Sequence, residues 1–286
     1  MSRAVGIMVA PNGARLTTQD HPVLPVTIEK TVEAVVQSVD VGAGAVHLHV
    51  RDDDGQHLLD AGRYKEAMAA LRDRLGADFP IQVTTESVGK YSAEQQIELV
   101  RELKPDFISA ALAEIIPDAS HQDLASDFYR WTSDQGVAVQ HILYSPKDLE
   151  RFIDLQDSGI ISDEHRSLLF VLGRYTEGQV SNTEDLDAFL GELERRGVAG
   201  RYRWMICAFG ENETECLVYA AARGGHVRVG FENNRLHPDG RIAINNAERV
   251  EDVCQSLRKA GHGIAIESEI YEVLGRAEAV TDYSFA

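Results

Sequence analysis

Short apolar runs alternate with longer amphipathic segments along the chain, and this alternation constrains the fold more than any other sequence feature. Eight of the runs predict strands, and a segment with helical periodicity follows each of them. Strict alternation of this kind favours parallel strands joined by right-handed helical crossovers. Eight repeats within 286 residues predict a closed (β/α)8 TIM barrel, an α/β fold forming one domain over residues 1–286.

The predicted elements are placed by their boundary residues. Strands are expected at residues 5–9, 45–52, 80–86, 107–109, 137–143, 168–172, 204–208 and 227–231. Helix N-caps are expected at Thr27, Ser92, Ser145, Asn182 or Thr183, Asn212, and Asn245 or Asn246. A doubly wound open sheet is the alternative, but no G-x-G-x-x-G follows the first strand. A short extension from about residue 275, including Tyr283 and Phe285, is expected to dock on the barrel or on a neighbouring subunit.

The charge and the cysteines exclude several classes of protein. A formal net charge of −18 without any basic run disfavours nucleic acid and anionic membranes as partners. No run approaches the roughly 18 apolar residues of a membrane helix, and no basic segment followed by an apolar run opens the sequence, so a cytoplasmic protein is expected. Cys207, Cys216 and Cys254 are widely spaced, which predicts buried thiols rather than a disulfide framework or a thiolate zinc site.

The segment at residues 45–52 reads AVHLHVRD and carries two histidines on a predicted buried strand. Side chains alternate along a strand, so His47 and His49 share one face while Val46, Leu48 and Val50 share the other. Two imidazoles at the C-terminal end of a buried strand form half of a metal site. Hydrogen-bonded core histidines are the alternative, and the pairing favours the metal.

Polar residues follow the predicted strands at their C-terminal ends, where a (β/α)8 enzyme has its active site. They are Asn12, His47, His49, Thr84, Glu86, Ser109, His141, Arg228 and Glu232. Catalytic zinc takes three protein ligands, and Glu232 is the predicted third ligand because strand eight neighbours strand one in a closed barrel. An ion pair between Arg228 and Glu232 is the alternative, and both fit together, since an arginine can orient a ligating carboxylate. Gly230 between them is expected to leave room for a ligand.

Four segments carry motifs that together point to one enzyme family. Residues 10–15 read APNGAR, residues 46–52 VHLHVRD, residues 170–173 FVLG and residues 224–234 GGHVRVGFENN. In these motifs the chain resembles the β-keto acid cleavage enzymes, whose best known members cleave 3-keto-5-aminohexanoate. The resemblance covers nearly the whole chain, and the histidine and Gly-Phe-Glu motifs are specific when they occur together.

The resemblance implies a zinc-dependent (β/α)8 barrel, usually a homotetramer. The implied reaction is an acyl transfer in which a β-keto acid and acetyl-CoA give acetoacetate and a new acyl-CoA through Claisen and retro-Claisen steps. Zn²⁺ is the implied cofactor, and its role would be to lower the cost of an enolate by holding the substrate oxygens. The β-keto acid and acetyl-CoA are the implied small-molecule partners.

Matching by motif implies the zinc ligands and the roles of Arg228, Thr84 and Ser109, and the positions of the other candidates at strand ends or in loops suggest theirs. The implied zinc ligands are His47, His49 and Glu232. The candidate catalytic residues are Arg228, Thr84, Ser109, Glu86 and Asn233. The candidate substrate-binding residues are Asn12, Arg15 and His141. Arg228 would hold anionic charge, and the Thr84 or Ser109 hydroxyl would stabilise an oxyanion.

Three positions depart from the family pattern. Asn233 stands where the family often has an aspartate that partners the arginine in proton transfer, and an amide is not a useful base at neutral pH. Strand three lacks the usual Thr-Gly-Gly ending, which makes Glu86 the candidate substitute base, or else a partner of a basic group such as Lys90. Arg15 lies where aminohexanoate-cleaving members have a nearby glutamate, which favours a neutral or anionic substrate.

The remaining sequence features leave alternatives open. The CoA phosphates need basic side chains at the mouth, and the candidates are Arg174, Lys147 and Arg235, which are otherwise solvated surface charges. The main alternative function is a metal-dependent hydrolase of the amidohydrolase type, in which further histidines follow strands five and six. His141 on strand five partly fits that hydrolase, but the His-x-His pair lies on strand two rather than strand one. A non-catalytic metal-binding or ligand-binding barrel is the third alternative.

Overall fold

The computed structural model describes residues 4–265 and 267–276, and within them eight parallel strands close into a barrel. In chain order the strands are β1 (Ile7–Val9), β2 (Ala45–Leu48), β3 (Val50–Arg51), β4 (His57–Leu58), β5 (Ile81–Thr84), β6 (Phe107–Ala111), β7 (Ala138–Leu143), β8 (Ser167–Leu172), β9 (Arg203–Ala208) and β10 (His226–Val229). The order around the barrel is β1, β10, β9, β8, β7, β6, β5 and β2. The predicted (β/α)8 barrel is confirmed, while Tyr283 and Phe285 of the predicted extension lie outside the described residues.

Helices pack around the outside of the barrel strands, except for the last one, which packs against the barrel interior. They are α1 (Ile28–Asp40), α2 (Ala61–Leu75), α3 (Ala93–Leu103), α4 (Leu112–Ile115), α5 (Gln122–Gln135), α6 (Pro146–Asp157), α7 (Thr183–Arg195), α8 (Glu213–Ala222), α9 (Asn246–Lys259) and α10 (Glu267–Val273). Of the predicted N-caps, Thr27, Ser92, Ser145 and Asn245 each accept a hydrogen bond from the backbone N–H three residues further on. None of the helices within the described ranges has the length and apolar character that crossing a membrane requires.

The two faces of each barrel strand pack in different environments. Outward side chains such as Val46 and Leu48 join the main apolar core between the barrel and the helices. Inward side chains such as Met8 and Phe107 fill the barrel itself, where Ile270 from α10 packs against them. The three cysteines are free and buried, as predicted. Helix α10, which the sequence analysis did not predict, therefore completes the barrel interior.

The predicted second strand is divided in two. The barrel strand β2 ends at Leu48, and β3 pairs instead with β4 in an antiparallel hairpin. The hairpin turns at Gly55, which has a φ of +77° and donates its N–H to Asp52 O. Apolar and polar residues alternate without interruption up to Arg51, so the change of pairing partner leaves no trace in the sequence.

Candidate active site

A cavity of about 420 Å³ opens at the C-terminal ends of the barrel strands. From the predicted set, its lining includes Asn12, Arg15, His47, Thr84, Glu86, Arg228, Glu232 and Asn233. The other three predicted residues, His49, Ser109 and His141, are buried outside that lining. A part-polar pocket at this end of the barrel is where (β/α)8 enzymes carry out their chemistry.

Three donor atoms converge where His47 and Glu232 line this cavity, and the third of them belongs to the buried His49. His47 Nε2 lies 3.0 Å from His49 Nε2. Glu232 Oε2 lies 3.7 Å from His47 Nε2 and 3.4 Å from His49 Nε2. The histidines come from β2 and its end, whereas Glu232 follows β10, and both strands pair with β1. Closure of the barrel thus brings the three predicted ligands together.

The three side chains fit a metal ion by their chemistry. His47 Nδ1 is 2.8 Å from Gln82 Oε1, which leaves Nε2 directed at the other two donors. Glu232 Oε2 is buried and has no hydrogen-bond partner among residues 4–265 and 267–276, a condition that a bound cation would relieve. All three ligand atoms lie within 4.8 Å of one another. Two imidazoles and one carboxylate are a common ligand set of catalytic zinc.

Arg228 binds one carboxylate oxygen of Glu232, and the other oxygen faces the two histidines. Its Nη2 lies 3.0 Å from Glu232 Oε1 and donates to Cys207 Sγ at 3.3 Å. The Nε and Nη1 atoms are buried and have no acceptor in the part of the chain that the structure describes. Because the side chain lines the cavity, these free donors suit an anionic group of a substrate.

Burial and charge hold these groups in the protonation states that a metal requires. Burial, followed by the charge of Arg228, lowers the pKa of His47 to about 3, so the imidazole is neutral at pH 7. Burial alone would raise the pKa of Glu232, but Arg228, His47 and His49 lower it well below its usual value. His47 is therefore neutral and Glu232 ionised, which are the states in which an imidazole and a carboxyl group bind a metal.

Thr84 and Ser109 point into the barrel side by side, since they are register partners on β5 and β6. Thr84 lines the cavity, and its Oγ1 accepts a hydrogen bond from Glu86 N–H at 3.0 Å. Ser109 is fully buried, and its Oγ has no hydrogen-bond partner among the described residues. Ala111, further along β6, lines the cavity in its place. Thr84 is thus the hydroxyl that a molecule in the cavity reaches.

His141 lies outside the cavity. Alternation along β7 turns Ile142 toward the cavity and His141 toward the helices. The His141 ring packs against Tyr129, Phe152 and His165 at centroid distances of 5.1, 4.6 and 5.3 Å. The prediction that His141 binds substrate is therefore wrong. The residue lies near the end of β7, but on the face of that strand that points away from the cavity. The hydrolase alternative also loses the strand-five histidine that it requires.

Two glycines allow backbone to approach the ligand set closely. A Cβ atom on Gly13, which has a φ of +57°, would lie 2.6 Å from Glu232 Cγ. A Cβ atom on Gly230, which has a φ of +146°, would lie 2.3 Å from Ala10 O. Gly230 therefore serves the close approach of the two strand ends, and the expectation that it leaves room for a ligand is corrected.

Arg51 supports the site, although the sequence analysis assigned it no role. Its buried guanidinium donates hydrogen bonds to Gly13 O at 2.5 Å, Leu16 O at 3.1 Å and Gly55 O at 2.8 Å. These bonds hold the loop that carries Arg15 against the β3–β4 hairpin. The Arg-Asp pair after the histidines was visible in the sequence, but two of the carbonyl partners of Arg51, Gly13 O and Leu16 O, come from a distant loop.

Comparison with known proteins decides between the alternatives. The family model described as beta-keto acid cleavage enzyme matches residues 4–275. The chain belongs to the β-keto acid cleavage enzyme family. This membership confirms the resemblance seen in the four motifs and excludes the hydrolase and the non-catalytic barrel. The protein is an enzyme of the acyltransferase type, as predicted.

Relatives with curated names resemble the chain over nearly its whole length. The 3-keto-5-aminohexanoate cleavage enzyme of Acetoanaerobium sticklandii is 29% identical, over 94% of this chain and 97% of that enzyme. The 3-oxoadipate:acetyl-CoA acetyltransferase of Cupriavidus necator is 25% identical, over 96% of each. Among solved structures, the binary complex of ObcA with oxaloacetate has a TM-score of 0.70 at 15% identity and covers 89% of this chain and 67% of that one. This last similarity supports the barrel fold.

Two amides of this β-keto acid cleavage enzyme face the cavity with free polar atoms. Both side-chain atoms of Asn233 are buried without a hydrogen-bond partner among the residues that the structure describes. Asn12 donates from Nδ2 to Pro25 O at 2.8 Å, while its Oδ1 has no partner in the same residues. Both residues can therefore bind substrate, but neither is a base at neutral pH.

Glu86 pairs with Arg15 rather than with Lys90. Arg15 Nη2 lies 3.7 Å from Glu86 Oε1 at the rim, where 56% of the Arg15 side chain and 18% of the Glu86 side chain are exposed. Lys90 Nζ instead donates to His57 O at 3.3 Å. The Arg15–Glu86 separation of 3.7 Å is too long for a hydrogen bond, and the Glu86 side chain lines the cavity.

Two of the three candidate CoA-binding side chains reach the cavity. Arg174 and Arg235 line the cavity, whereas Lys147, at the start of α6, does not. Arg235 is anchored at the rim because its Nη1 donates to Asp20 O at 2.7 Å. The Arg174 guanidinium lies 5.1 Å from the centroid of the Phe209 ring.

Proposed function

We propose that this β-keto acid cleavage enzyme depends on zinc and converts a β-keto acid and acetyl-CoA into acetoacetate and a new acyl-CoA. The observation that carries the proposal is the convergence of His47, His49 and Glu232 beside the free donors of Arg228, at a cavity that His47, Glu232 and Arg228 line. Acetyl-CoA appears in the name of the C. necator relative, which supports it as the co-substrate.

The side chains around the ligand set have complementary tasks. Zinc bound by His47, His49 and Glu232 would supply Lewis acidity to the oxygens of the β-keto acid. Arg228 offers Nη1–H to the substrate carboxylate while its Nη2 remains on Glu232. The Thr84 hydroxyl, which already accepts the Glu86 N–H, donates its own proton to an oxyanion.

Glu86 is the proposed proton acceptor for carbon deprotonation. It lines the cavity, the ion-pair partner of its carboxylate among the described residues is Arg15 at 3.7 Å, and Asn233, which also lines the cavity, has no basic atom. Replacing Glu86 by Gln keeps the shape of the side chain and removes the base. We expect Glu86→Gln to lower kcat by roughly 100-fold with little change in zinc content.

The proposed substrate is a β-keto acid whose distal end is neutral or anionic. Arg15 lies at the cavity rim, where its charge disfavours a distal ammonium group. Because Glu86 at 3.7 Å offsets part of that charge, a neutral distal group is the stronger expectation. Arg174 and Arg235 are the proposed contacts to the CoA phosphates.

The decisive experiment combines metal analysis with a panel of β-keto acids. The purified enzyme should hold about one zinc per chain, and it should form acetoacetate only when acetyl-CoA is present. His47→Ala should lose both the zinc and the activity. His121→Ala, which changes a partly exposed histidine paired with Asp118, is the matched control and should lose neither.

Two results would overturn the proposal. Zinc binding without any consumption of acetyl-CoA would contradict the transfer reaction, whereas full activity in a zinc-free preparation would contradict the role of the metal. The homotetramer implied by the family and the cytoplasmic location inferred from the sequence stay predictions. Light scattering of the purified enzyme tests the first, and cell fractionation tests the second.

A further inference from the structure

Three polar side chains cross the barrel interior in one hydrogen-bonded row, which we call the Gln-Gln-Ser row. Gln82 lies on β5, Gln140 on β7 and Ser167 at the start of β8, and all three are fully buried. Gln82 Nε2 donates to Gln140 Oε1 at 3.1 Å, and Gln140 Nε2 donates to Ser167 Oγ at 3.3 Å. The row lies beneath the cavity, since none of its members contributes to the lining.

The two ends of the row have different partners. At one end, Gln82 Oε1 is 2.8 Å from Nδ1 of His47, one of the candidate zinc ligands. At the other end, Ser167 Oγ donates to the backbone carbonyl of Val273, the last residue of α10. The row therefore connects the ligand set with the helix that closes the barrel interior.

The Val273 carbonyl determines the direction of every bond in the row. A carbonyl oxygen only accepts, so the Ser167 hydroxyl must donate to it and must itself accept from Gln140 Nε2. Gln140 then presents Oε1 to Gln82 Nε2, and Gln82 presents Oε1 to His47. An amide oxygen also only accepts, so His47 Nδ1 carries the proton.

We propose that the Gln-Gln-Ser row is a positioning device that holds His47 in the Nδ1–H tautomer, so that Nε2 is free to bind a metal together with His49 and Glu232. This inference rests on the metal site of the proposed function and assigns roles to Gln82, Gln140 and Ser167, which do not touch substrate. It also makes α10 part of the active-site support, since the row takes its direction from Val273 O.

The surroundings argue that the row is more than a filling of the barrel. Phe107, the register partner of Gln82 on β6, is apolar, and so are the inward Leu169 and Met205 on β8 and β9. Burying polar side chains among such neighbours is unfavourable unless each one is paired. Filling the barrel would require only apolar side chains. A chain of hydrogen bonds with a single allowed direction can in addition orient the group at its end, which apolar side chains cannot do.

The first test measures the tautomer directly in metal-free protein labelled with ¹⁵N-histidine. Two-bond ¹H–¹⁵N correlation spectra should show His47 as the Nδ1–H tautomer, assigned by comparison with a His47→Gln sample. Ser167→Ala removes the hydroxyl that donates to the Val273 carbonyl. The direction of the row is then no longer fixed, so the spectrum of His47 should show a mixture of the two tautomers. An Nε2–H tautomer in the wild type, or no change in Ser167→Ala, would overturn the inference.

The second test measures zinc affinity by competition with a chromogenic chelator. Gln82→Met keeps the side-chain length but removes the acceptor, and it should weaken zinc binding by roughly 10- to 100-fold. Gln82→Glu restores an acceptor for His47 Nδ1–H and should bind zinc within a few-fold of the wild type. Gln156→Met is the matched control, because Gln156 is a buried glutamine whose partners lie outside the barrel, and it should leave affinity unchanged.

These outcomes separate the inference from the proposed function. If the wild type binds zinc and forms acetoacetate but Gln82→Met binds zinc equally well, the positioning role is wrong and the function stands. If the His47 tautomer follows the row but acetyl-CoA is not consumed, the row is supported and the transfer reaction is wrong. Loss of the folded state in Gln82→Met leaves the tautomer spectra of Ser167→Ala as the deciding measurement.

Discussion

Two pairs of buried histidines lie in the same barrel, and only one of them has the surroundings of a metal site. His47 and His49 have ring centroids 4.9 Å apart, and His141 and His165 have centroids 5.3 Å apart, with nearly perpendicular rings in both pairs. The first pair faces the Glu232 carboxylate inside the barrel. The second packs among aromatic rings between the barrel and the helices.

The comparison shows that ring spacing and burial do not identify a metal site. Both His47 and His141 have a pKa that burial lowers, so both are neutral at pH 7. What differs is the neighbouring charge, because Glu232 and Arg228 accompany the first pair. A carboxylate with an unsatisfied oxygen, rather than a histidine, therefore distinguishes the two regions.

Removing that carboxylate should have the largest effect. Glu232→Gln leaves His47 and His49 without a neighbouring carboxylate, like the second pair. Zinc affinity should therefore fall by more than roughly 100-fold, and acetoacetate formation should fall with it. Chelator competition and product assay measure the two effects. Asp106→Asn, which changes an ion-paired carboxylate outside the cavity, is the control. Retention of zinc in Glu232→Gln would remove the difference between the two regions.

Arg228 is the second distinguishing charge. Arg228→Lys keeps the charge but cannot bind Glu232, Cys207 and a substrate carboxylate in the same fixed geometry. We expect kcat/KM to fall by roughly 100-fold while zinc content stays near that of the wild type. Steady-state kinetics and metal analysis of the same preparation test this. A parallel loss of zinc would show that Arg228 acts on the ligand set alone.

Gly13→Ala should disturb the metal site from outside the ligand set. The new Cβ atom would lie 2.6 Å from Glu232 Cγ, so Glu232 must move relative to the histidines. We expect roughly 10-fold weaker zinc binding. Gly136→Ala is the control, because Gly136 also has a positive φ of +69° but nothing within 4 Å of its added Cβ, so it should cost stability without affecting zinc.

The smallest effect should appear at the second histidine pair. Burial, followed by His165, lowers the pKa of His141 well below its usual value, so in acid the unfolded chain binds more protons at this position than the folded protein does. The stability that depends on neutral His141 is thus full above about pH 6.5 and falls as the pH decreases below that value, by at most about 1.4 kcal/mol per pH unit.

His141→Phe removes this proton uptake and keeps an aromatic ring among Tyr129 and Phe152. The free energy of unfolding, measured by urea titration between pH 5 and 8, should depend less on pH than in the wild type. Zinc affinity should be unchanged, since His141 lies outside the cavity. A loss of zinc binding in His141→Phe would mean that the two pairs are coupled.

Local patterns were enough to predict much of this architecture. Alternation of strands and helices predicted the closed barrel, and four predicted N-caps bind their helix termini in the structure. Residue spacing on β2 also predicted that His47 and His49 share a face. These features depend on contacts within a few residues, which hydrophobic periodicity and capping chemistry describe directly.

Other features depend on residues that are distant in sequence. The outward orientation of His141, the division of the second strand at Leu48 and the clamp made by Arg51 follow from how neighbouring strands and loops pair. The Gln-Gln-Ser row joins side chains of three strands to a helix at the end of the described chain. No local pattern marks such partners.

The sequence by itself therefore determined the barrel, the family and the candidate ligands, because periodicity and motifs are local properties. Only the tertiary structure decided which histidines face a carboxylate, which partner Glu86 has, and which side chain lies against His47 Nδ1. The physical reason is that charge, burial and hydrogen-bond direction are set by groups that barrel closure brings together from opposite ends of the chain.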